Sequence, residues 1–323
     1  MLRLMPVVLL SSILWALPFA APAETFPSRQ VTIVSPYQAG GTSDIIARLI
    51  AKKLGETWKQ PVIVENRAGA NGGIGLMAVT KAPADGYTML AIASSALTIN
   101  PLIYKNLDYD VTRDLAPITR TGFVPNVLVV NSSLPAHDVN ELIALAKAKP
   151  GALNFASQGN GSNGHLTGEM FRQQSGADIT HIPYKGSAPA VTDLVAGHVQ
   201  LMFDNLPTVL EQIRAGQLRA LAVTTSVRTS LLPEVPTLQE SGFAGFDSSA
   251  WFAILVAKKT PEPIRAEIEK AVIAVMKDDE IKRKLSGFGI TAIGDGSEEL
   301  AHRMDTESRA WRDVIEKAGI KVE

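Results

Sequence analysis

Three short stretches hold the residues best suited to chemistry, and all three are rich in glycine and hydroxyls. The first is Pro36-Tyr37-Gln38-Ala39-Gly40-Gly41-Thr42-Ser43-Asp44. Its two glycines let a ligand approach the backbone with no Cβ in the way. Thr42 or Ser43 suits the start of a helix, and Asp44 is an acid in its first turn. N–H groups at a helix start carry partial positive charge, so a carboxylate here needs no Arg or Lys. The same residues also make a capped turn with no ligand. The second stretch, Ser157-Gln158-Gly159-Asn160-Gly161-Ser162-Asn163-Gly164-His165, contains a G-x-G-x-x-G pattern from Gly159 to Gly164. The strand after it ends in Ile182-Pro183-Tyr184-Lys185, with no acid to hold a ribose, which argues against a dinucleotide. Ser157, Ser162 and the loop amides read instead as a second polar cradle. His165 either donates to a ligand or is a structural or surface histidine. The third stretch, Tyr184-Lys185-Gly186-Ser187-Ala188-Pro189-Ala190, again puts glycine before a helix, with Lys185 either adding a cation or simply solvated. Ser94-Ser95 and Asp204-Asn205 follow two further strand candidates as lips of a cleft.

Catalytic patterns are scarce. There is no G-x-S-x-G, no H-E-x-x-H and no Walker A lysine, and the histidines at 137, 165, 181, 198 and 302 lack metal-ligand spacing. Cysteine count is zero, which excludes disulfides, thiolate metal sites and a cysteine nucleophile. No cofactor is expected. A triad of Ser162, His165 and Asp204 on an exported hydrolase stays as an alternative that local geometry decides.

The elements that must position these loops alternate. Val31-Thr32-Ile33-Val34, Pro61-Val62-Ile63-Val64 and Tyr87-Thr88-Met89-Leu90-Ala91-Ile92 read as strands. Between the first two, Ile45, Ile46, Leu49, Ile50 and Leu54 recur at helical spacing. The pattern restarts with Leu153-Asn154-Phe155-Ala156, Ile179-Thr180-His181-Ile182 and Val199-Gln200-Leu201-Met202-Phe203. Strands alternating with helices predict α/β lobes with largely parallel sheets. Asn126-Val127-Leu128-Val129-Val130, the run 218–223 and the run 251–256 are further strands, and the tail from Pro261 is mostly helical, with a charged last helix over 298–317. Two lobes joined by β crossovers would form a hinged cleft, with ligands at the C-terminal ends of the strands.

With 323 residues, the length fits about two domains. Lys+Arg is 31 against Asp+Glu 32, a net charge of -1, so no basic face for nucleic acid is expected. Residues 1–23 carry one charge, Arg3, then an apolar run ending in Ala21-Pro22-Ala23. That pattern is a secretory signal peptide cleaved after Ala23, and the apolar run is shorter than a membrane span needs.

Five segments then carry a resemblance: residues 37–44, the run Glu65-Asn66-Arg67-Ala68-Gly69-Ala70-Asn71-Gly72-Gly73-Ile74-Gly75, residues 184–190, Asp193-Leu194-Val195-Ala196-Gly197-His198-Val199, and Pro233-Glu234-Val235-Pro236-Thr237-Leu238-Gln239-Glu240-Ser241-Gly242. In this order and spacing the whole chain resembles the Bug family, the periplasmic substrate-binding components of tripartite tricarboxylate transporters. The resemblance implies a type II periplasmic-binding-protein architecture: two Rossmann-like lobes with a hinged interlobe cleft. Lobe 1 is expected over 24–122 and 226–323, and lobe 2 over 123–225. It implies a monomer that captures a small organic acid in the periplasm for membrane permease components, and no enzyme activity. A sensor reporting to a membrane signalling partner is the alternative. The family's carboxylate site carries over onto Tyr37, Ala39, Gly40, Gly41 and Asp44. Ser157, Ser162, His165, Lys185, Gly186 and Asp204 are expected on the facing lobe, and Ser94 on the near one. Gln38, Ser43, Ser94 and Asn163 are candidates to read the rest of the ligand.

Overall fold

β-branched and aliphatic runs favour the pleated, buried surface of a sheet, and each predicted run forms a strand in the computed structural model, which describes residues 25–318. The expected signal peptide, residues 1–23, lies outside the described residues. The strands are β1 (Val31–Ser35), β2 (Val62–Asn66), β3 (Thr88–Ala93), β4 (Leu115–Asn131), β5 (Leu153–Ser157), β6 (Ile179–Pro183), β7 (Leu201–Asn205), β8 (Leu218–Val223), β9 (Ser249–Ala257) and β10 (Thr291–Ala292).

Two lobes share one hydrogen-bonded path, β2-β1-β3-β9-β4-β7-β5-β6, with β8 and β10 also pairing β4. In the first lobe β2, β1 and β3 are parallel and β9 is antiparallel to β3. In the second, β6, β5 and β7 are parallel and β4 is antiparallel to β7. Each lobe therefore reverses its strand order beside its first strand, at β1 and at β5. That reversal opens a crevice beyond the strand ends, and the two crevices face each other.

The long strand β4 joins the lobes. The sequence reading found only its last third, because Pro117, Gly122 and Pro125 interrupt the earlier part. The strand forms nonetheless, with pairing to β9 that slips twice, between Pro117 and Thr119 and between Arg120 and Gly122. Such bulges accommodate residues that a regular ladder excludes. Pro125 still faces Ser249 of β9, whereas Asn126 faces Asn205 of β7, so the partner changes at this one step.

Alternation along β4 divides the second core: Val127 and Val129 pack on one face with Met202 and Val209, Leu128 and Val130 on the other with Phe155, Phe171 and Phe203. In the first lobe, Ile33, Ile50 and Ile254 meet Ile268 and Val272 of helix Glu262–Lys277. The last helix, Ser297–Ala318, places Trp311 and Ile315 against Ile99, Ile103 and Leu166, a small apolar cluster that draws on both lobes. Among the described residues no helix is long and apolar enough to cross a membrane.

Candidate functional site

The loops that leave the strand ends meet in a cavity of about 40 Å³ between the lobes. Its walls include Tyr37, Gly41, Thr42 and Ser43 after β1, Asn71 after β2, and Ala93 and Ser95 at the end of β3. From the second lobe come Gln158, Ser162 and Asn163 after β5, Gly186 and Ser187 after β6, and Asn205 at the end of β7. Ala250 and Phe252 of β9 complete it. No Lys, Arg, Asp or Glu is among these residues. The volume has room for about three waters, at roughly 10–15 Å³ each, so this is a narrow, closed site. Direct contacts seal it: Tyr104 Oη donates to the Asn160 carbonyl at 2.9 Å, and Asn163 Nδ2 donates to the Ser249 carbonyl at 3.0 Å.

Four helices of nine residues or more begin at this cavity: Thr42–Trp58, Asn163–Ser175, Ser187–Ala196 and Leu206–Arg214. The first, third and fourth have no side-chain cap, with Gly41, Gly186 and Asn205 preceding them. Their opening N–H groups lack intrahelical acceptors and carry the positive end of each macrodipole. Four further atoms on the cavity's residues are buried without a hydrogen-bond partner: Tyr37 Oη, Thr42 Oγ1, Asn71 Oδ1 and Asn205 Oδ1. Burial pushes the Tyr37 phenol well above the usual tyrosine range. The Ala93 backbone and Ser95 hydroxyl lie beside that phenol, but neither reaches it in hydrogen-bonding geometry. Unpaired buried polar groups are costly, so a site that keeps four of them is built to receive polar atoms.

Of the expected residues, Tyr37, Gly41, Ser162 and Gly186 line the cavity, as do Ser43 and Asn163 from the set expected to read the rest of the ligand, whereas Gln38 does not. The others lie off its walls. Ala39 and Gly40 lie on the exposed crest of their loop, and the Gly40 N–H is already donated to Asp44 Oδ2 at 3.0 Å. Asp44 is a brace rather than a wall. Its buried carboxylate also accepts from Arg48 Nε at 2.9 Å and Asn66 Nδ2 at 2.9 Å. Burial alone would raise its pKa, but the bonds from Arg48, Gly40 and Asn66 outweigh that and hold it below the usual value. Ser94 is buried, but Ser95 takes the place on the wall.

In the second lobe Ser157 turns inward, its Oγ 2.6 Å from His181 Nε2 and within reach of Gly159 N. His165 Nδ1 accepts from Gly161 N at 3.1 Å and its ring stacks on His181 at 3.9 Å. Ser162 Oγ accepts from the His165 backbone, so the two side chains do not form a nucleophile–base pair. Asp204 is fully buried, accepting from Ser187 Oγ, Asn205 N and Thr208 Oγ1, each at 2.8 Å, and from Gln158 Nε2. Burial raises its pKa against the pull of these donors. It orients Gln158 and Ser187 from behind the wall. Ser162, His165 and Asp204 thus do not assemble as a triad: Ser162 Oγ meets the His165 backbone and not its ring, and Asp204 bonds neither of them. Lys185 is exposed on an outer depression of about 240 Å³, which shares Asn71 and Gln158 with the cavity.

Sequence reading passed over Gln158 as a wall residue, although it lies at a strand's C-terminal end beside the reversal in strand order, and it gave Asn205 only as a lip of the cleft, whereas Asn205 is part of the wall. Nothing local signals Ala250 and Phe252, which sit inside a long apolar run. Gly164 explains how Gln158 is held: a Cβ there would lie 2.2 Å from the Phe203 carbonyl and 2.5 Å from Gln158 Oε1.

Comparison with known proteins gives a consistent picture. The family described as tripartite tricarboxylate transporter family receptor matches residues 46–320. Protein BugT of Bordetella pertussis is 39% identical over 306 residues, covering 94% of each chain. The structure of R. palustris Rpa4515 with adipate is 38% identical, covers 92% of this chain and 99% of its own, and superposes with a TM-score of 0.89. MatC from Rhodopseudomonas palustris with bound malate is 29% identical over 90% of this chain and 100% of its own, with a TM-score of 0.85.

Proposed function

This chain belongs to the tripartite tricarboxylate transporter receptor family, and from that premise we propose that it is a periplasmic receptor for a small carboxylate-bearing organic acid. The observation that carries the reading is the convergence of four helix starts on one cavity that no cation lines. Oriented N–H groups hold an anion without a counter-charge, and the Tyr37 and Thr42 hydroxyls add donors. The adipate and malate seen with two relatives support a carboxylate here.

Residues 1–23 serve export, with cleavage after Ala23. Lobe 1 comprises 24–122 and 226–323, and lobe 2 comprises 123–225. The hinge lies where β4 changes partner, between Pro125 and Asn126, and at the return into β9. The ligand touches both lobes only when they are closed, so it stabilises the closed state by that difference in contact. The closed receptor, a monomer, delivers its ligand to membrane permease components.

Thermal shift and calorimetry against mono-, di- and tricarboxylates, with neutral sugars as controls, test the binding. Stabilisation by carboxylates alone is expected. Stabilisation by a neutral sugar and by no carboxylate would refute it. Uptake of the bound acid by vesicles carrying the permease, dependent on added receptor, tests delivery.

A further inference from the structure

Asn71 lies in the left-handed region, φ 43° and ψ 48°, within a stretch from Gly69 to Gly72 whose four residues all have positive φ. Residues with a side chain hold that conformation only where their surroundings impose it. Here Asn71 Nδ2 donates to Asn100 Oδ1 at 2.8 Å. In return Asn100 Nδ2 donates to the Asn71 carbonyl at 3.2 Å and to Tyr109 Oη at 3.0 Å. A backbone carbonyl can only accept, so it fixes which way the Asn100 amide faces, and Asn100 in turn fixes Asn71. What remains is Asn71 Oδ1, an acceptor with no partner, on a residue only 7% exposed and on the cavity wall. Gly72, next in the chain, packs so closely on Tyr37 that a Cβ would lie 3.1 Å from Tyr37 Oη, which sets the Asn71 loop beside the donors of the first lobe.

The helix-start N–H groups can only donate, and the Tyr37 and Thr42 hydroxyls can donate or accept. An amide oxygen can only accept. A plain ionised carboxylate also offers only acceptors, so it would leave Asn71 Oδ1 unpaired. We infer that Asn71 accepts a hydrogen bond from a hydroxyl on the ligand, and that the preferred ligands are hydroxy-carboxylates. The inference rests on the carboxylate reading of the cavity and adds to it the second group that the ligand must carry. A hydroxyl is favoured over an ammonium because no carboxylate lines the cavity. The oxygens of Asp44 and Asp204 are taken by other donors.

The test is calorimetric titration of the protein with pairs that differ by one hydroxyl: glycolate and acetate, malate and succinate, 2-hydroxyglutarate and glutarate. Aspartate and glutamate serve as amino counterparts. In the pair whose length fits, the hydroxy acid should bind roughly tenfold more tightly than its deoxy partner, the cost of leaving one buried acceptor unpaired. The amino acid should show no such gain. Asn71→Gly, which suits a positive φ, should bring the ratio of hydroxy-acid to deoxy-acid affinity close to one. Equal binding of the hydroxy and deoxy acids by the unaltered protein would overturn the inference, because a water would then serve Oδ1. A gain for the amino acid alone, or a hydroxyl preference that survives Asn71→Gly, would overturn it too. The ratio in the unaltered protein decides even if the variant fails to fold. Carboxylate binding with no hydroxyl preference refutes this inference alone. Binding of no carboxylate refutes the reading of the site and this inference with it.

Discussion

Acid should weaken the second lobe through two stacked histidines. His165 and His181 lie ring on ring at 3.9 Å, and the Phe155 ring lies 4.8 Å from that of His181. Burial, reinforced by Arg172, lowers the His165 pKa to about 4, and burial, reinforced by His165, lowers that of His181 to about 3. Both values lie below the ordinary 6.5 that holds in the unfolded chain. Protonation therefore favours the unfolded state. These groups leave stability unchanged well above pH 6.5 and erode it as pH falls from 6.5 towards 4 and then 3. At pH 5 an imidazole whose pKa falls from 6.5 to about 4 on folding costs about 2 kcal/mol. Two such groups cost at most ~4 kcal/mol, the limit reached when both stay neutral in the folded state and are protonated in the unfolded one. With an unfolding entropy of roughly 2 cal/mol/K per residue, that upper figure corresponds to about 6 °C in Tm if the chain unfolds as one unit. Urea unfolding followed by circular dichroism from pH 8 to pH 5 measures the loss. His181→Phe keeps the stack and leaves Ser157 Oγ its contact with Gly159 N, so it should remove about half of the pH dependence. A stability that is flat from pH 7.5 to 5, or a His165 that titrates near 6.5 by NMR, would refute the reasoning.

Two further outcomes follow from the walls of the cavity. Gly41 has φ −75° and ψ 165°, and a Cβ there would meet nothing nearer than the Gln38 carbonyl at 3.5 Å. Gly41→Val should therefore fold with a Tm within a few degrees of the original while its side chain screens the helix start. Undiminished carboxylate affinity by calorimetry would remove this loop from the site. Gly164→Ala should push helix Asn163–Ser175 away from β7, at an overpacking cost of about 1–3 kcal/mol. It should also weaken ligand binding by displacing Gln158, and a Tm equal to that of the unaltered protein would show that the close approach is not required.

The fold was legible where hydrophobic pattern and sheet topology agree. Every strand predicted from a β-branched run forms, because those runs are buried and their alternation matches the two faces of each sheet. The first part of β4 escaped because Pro117 and Pro125 argue locally against a strand, while bulged pairing with β9 overrides them. The site was legible as loops but not as side chains. Asp44 and Asp204 were expected in the site because the family resemblance carries its carboxylate site onto their positions. Whether a carboxylate faces a ligand or braces a loop depends on donors distant in sequence, such as Asn66 for Asp44 and Gln158 for Asp204. The same holds for Gly40, whose one N–H is donated to Asp44 four residues on. Asn71 lies in the glycine-rich run 65–75 that carries the resemblance, but its orientation is set by Asn100, twenty-nine residues away, which that run does not contain.

The net charge of -1 and the uncharged cavity together explain how such a protein can be selective. A lysine or arginine in the wall would attract any anion, and its flexible chain would have to be ordered on each binding event. Helix starts are already fixed by the fold, each carrying roughly half a positive charge, so their donors are aimed before the ligand arrives. The two buried acids nearby do not cancel this field. Arg48 and the amides of Gly40 and Asn66 surround Asp44, and four donors surround Asp204, so each negative charge is met before it reaches the cavity. Amides recognise a carboxylate generically, however, and cannot tell one organic acid from another. That discrimination must fall to the wall atoms that the helices do not supply. Asn71 Oδ1 is the one whose role is fixed as acceptor by its own hydrogen-bond network.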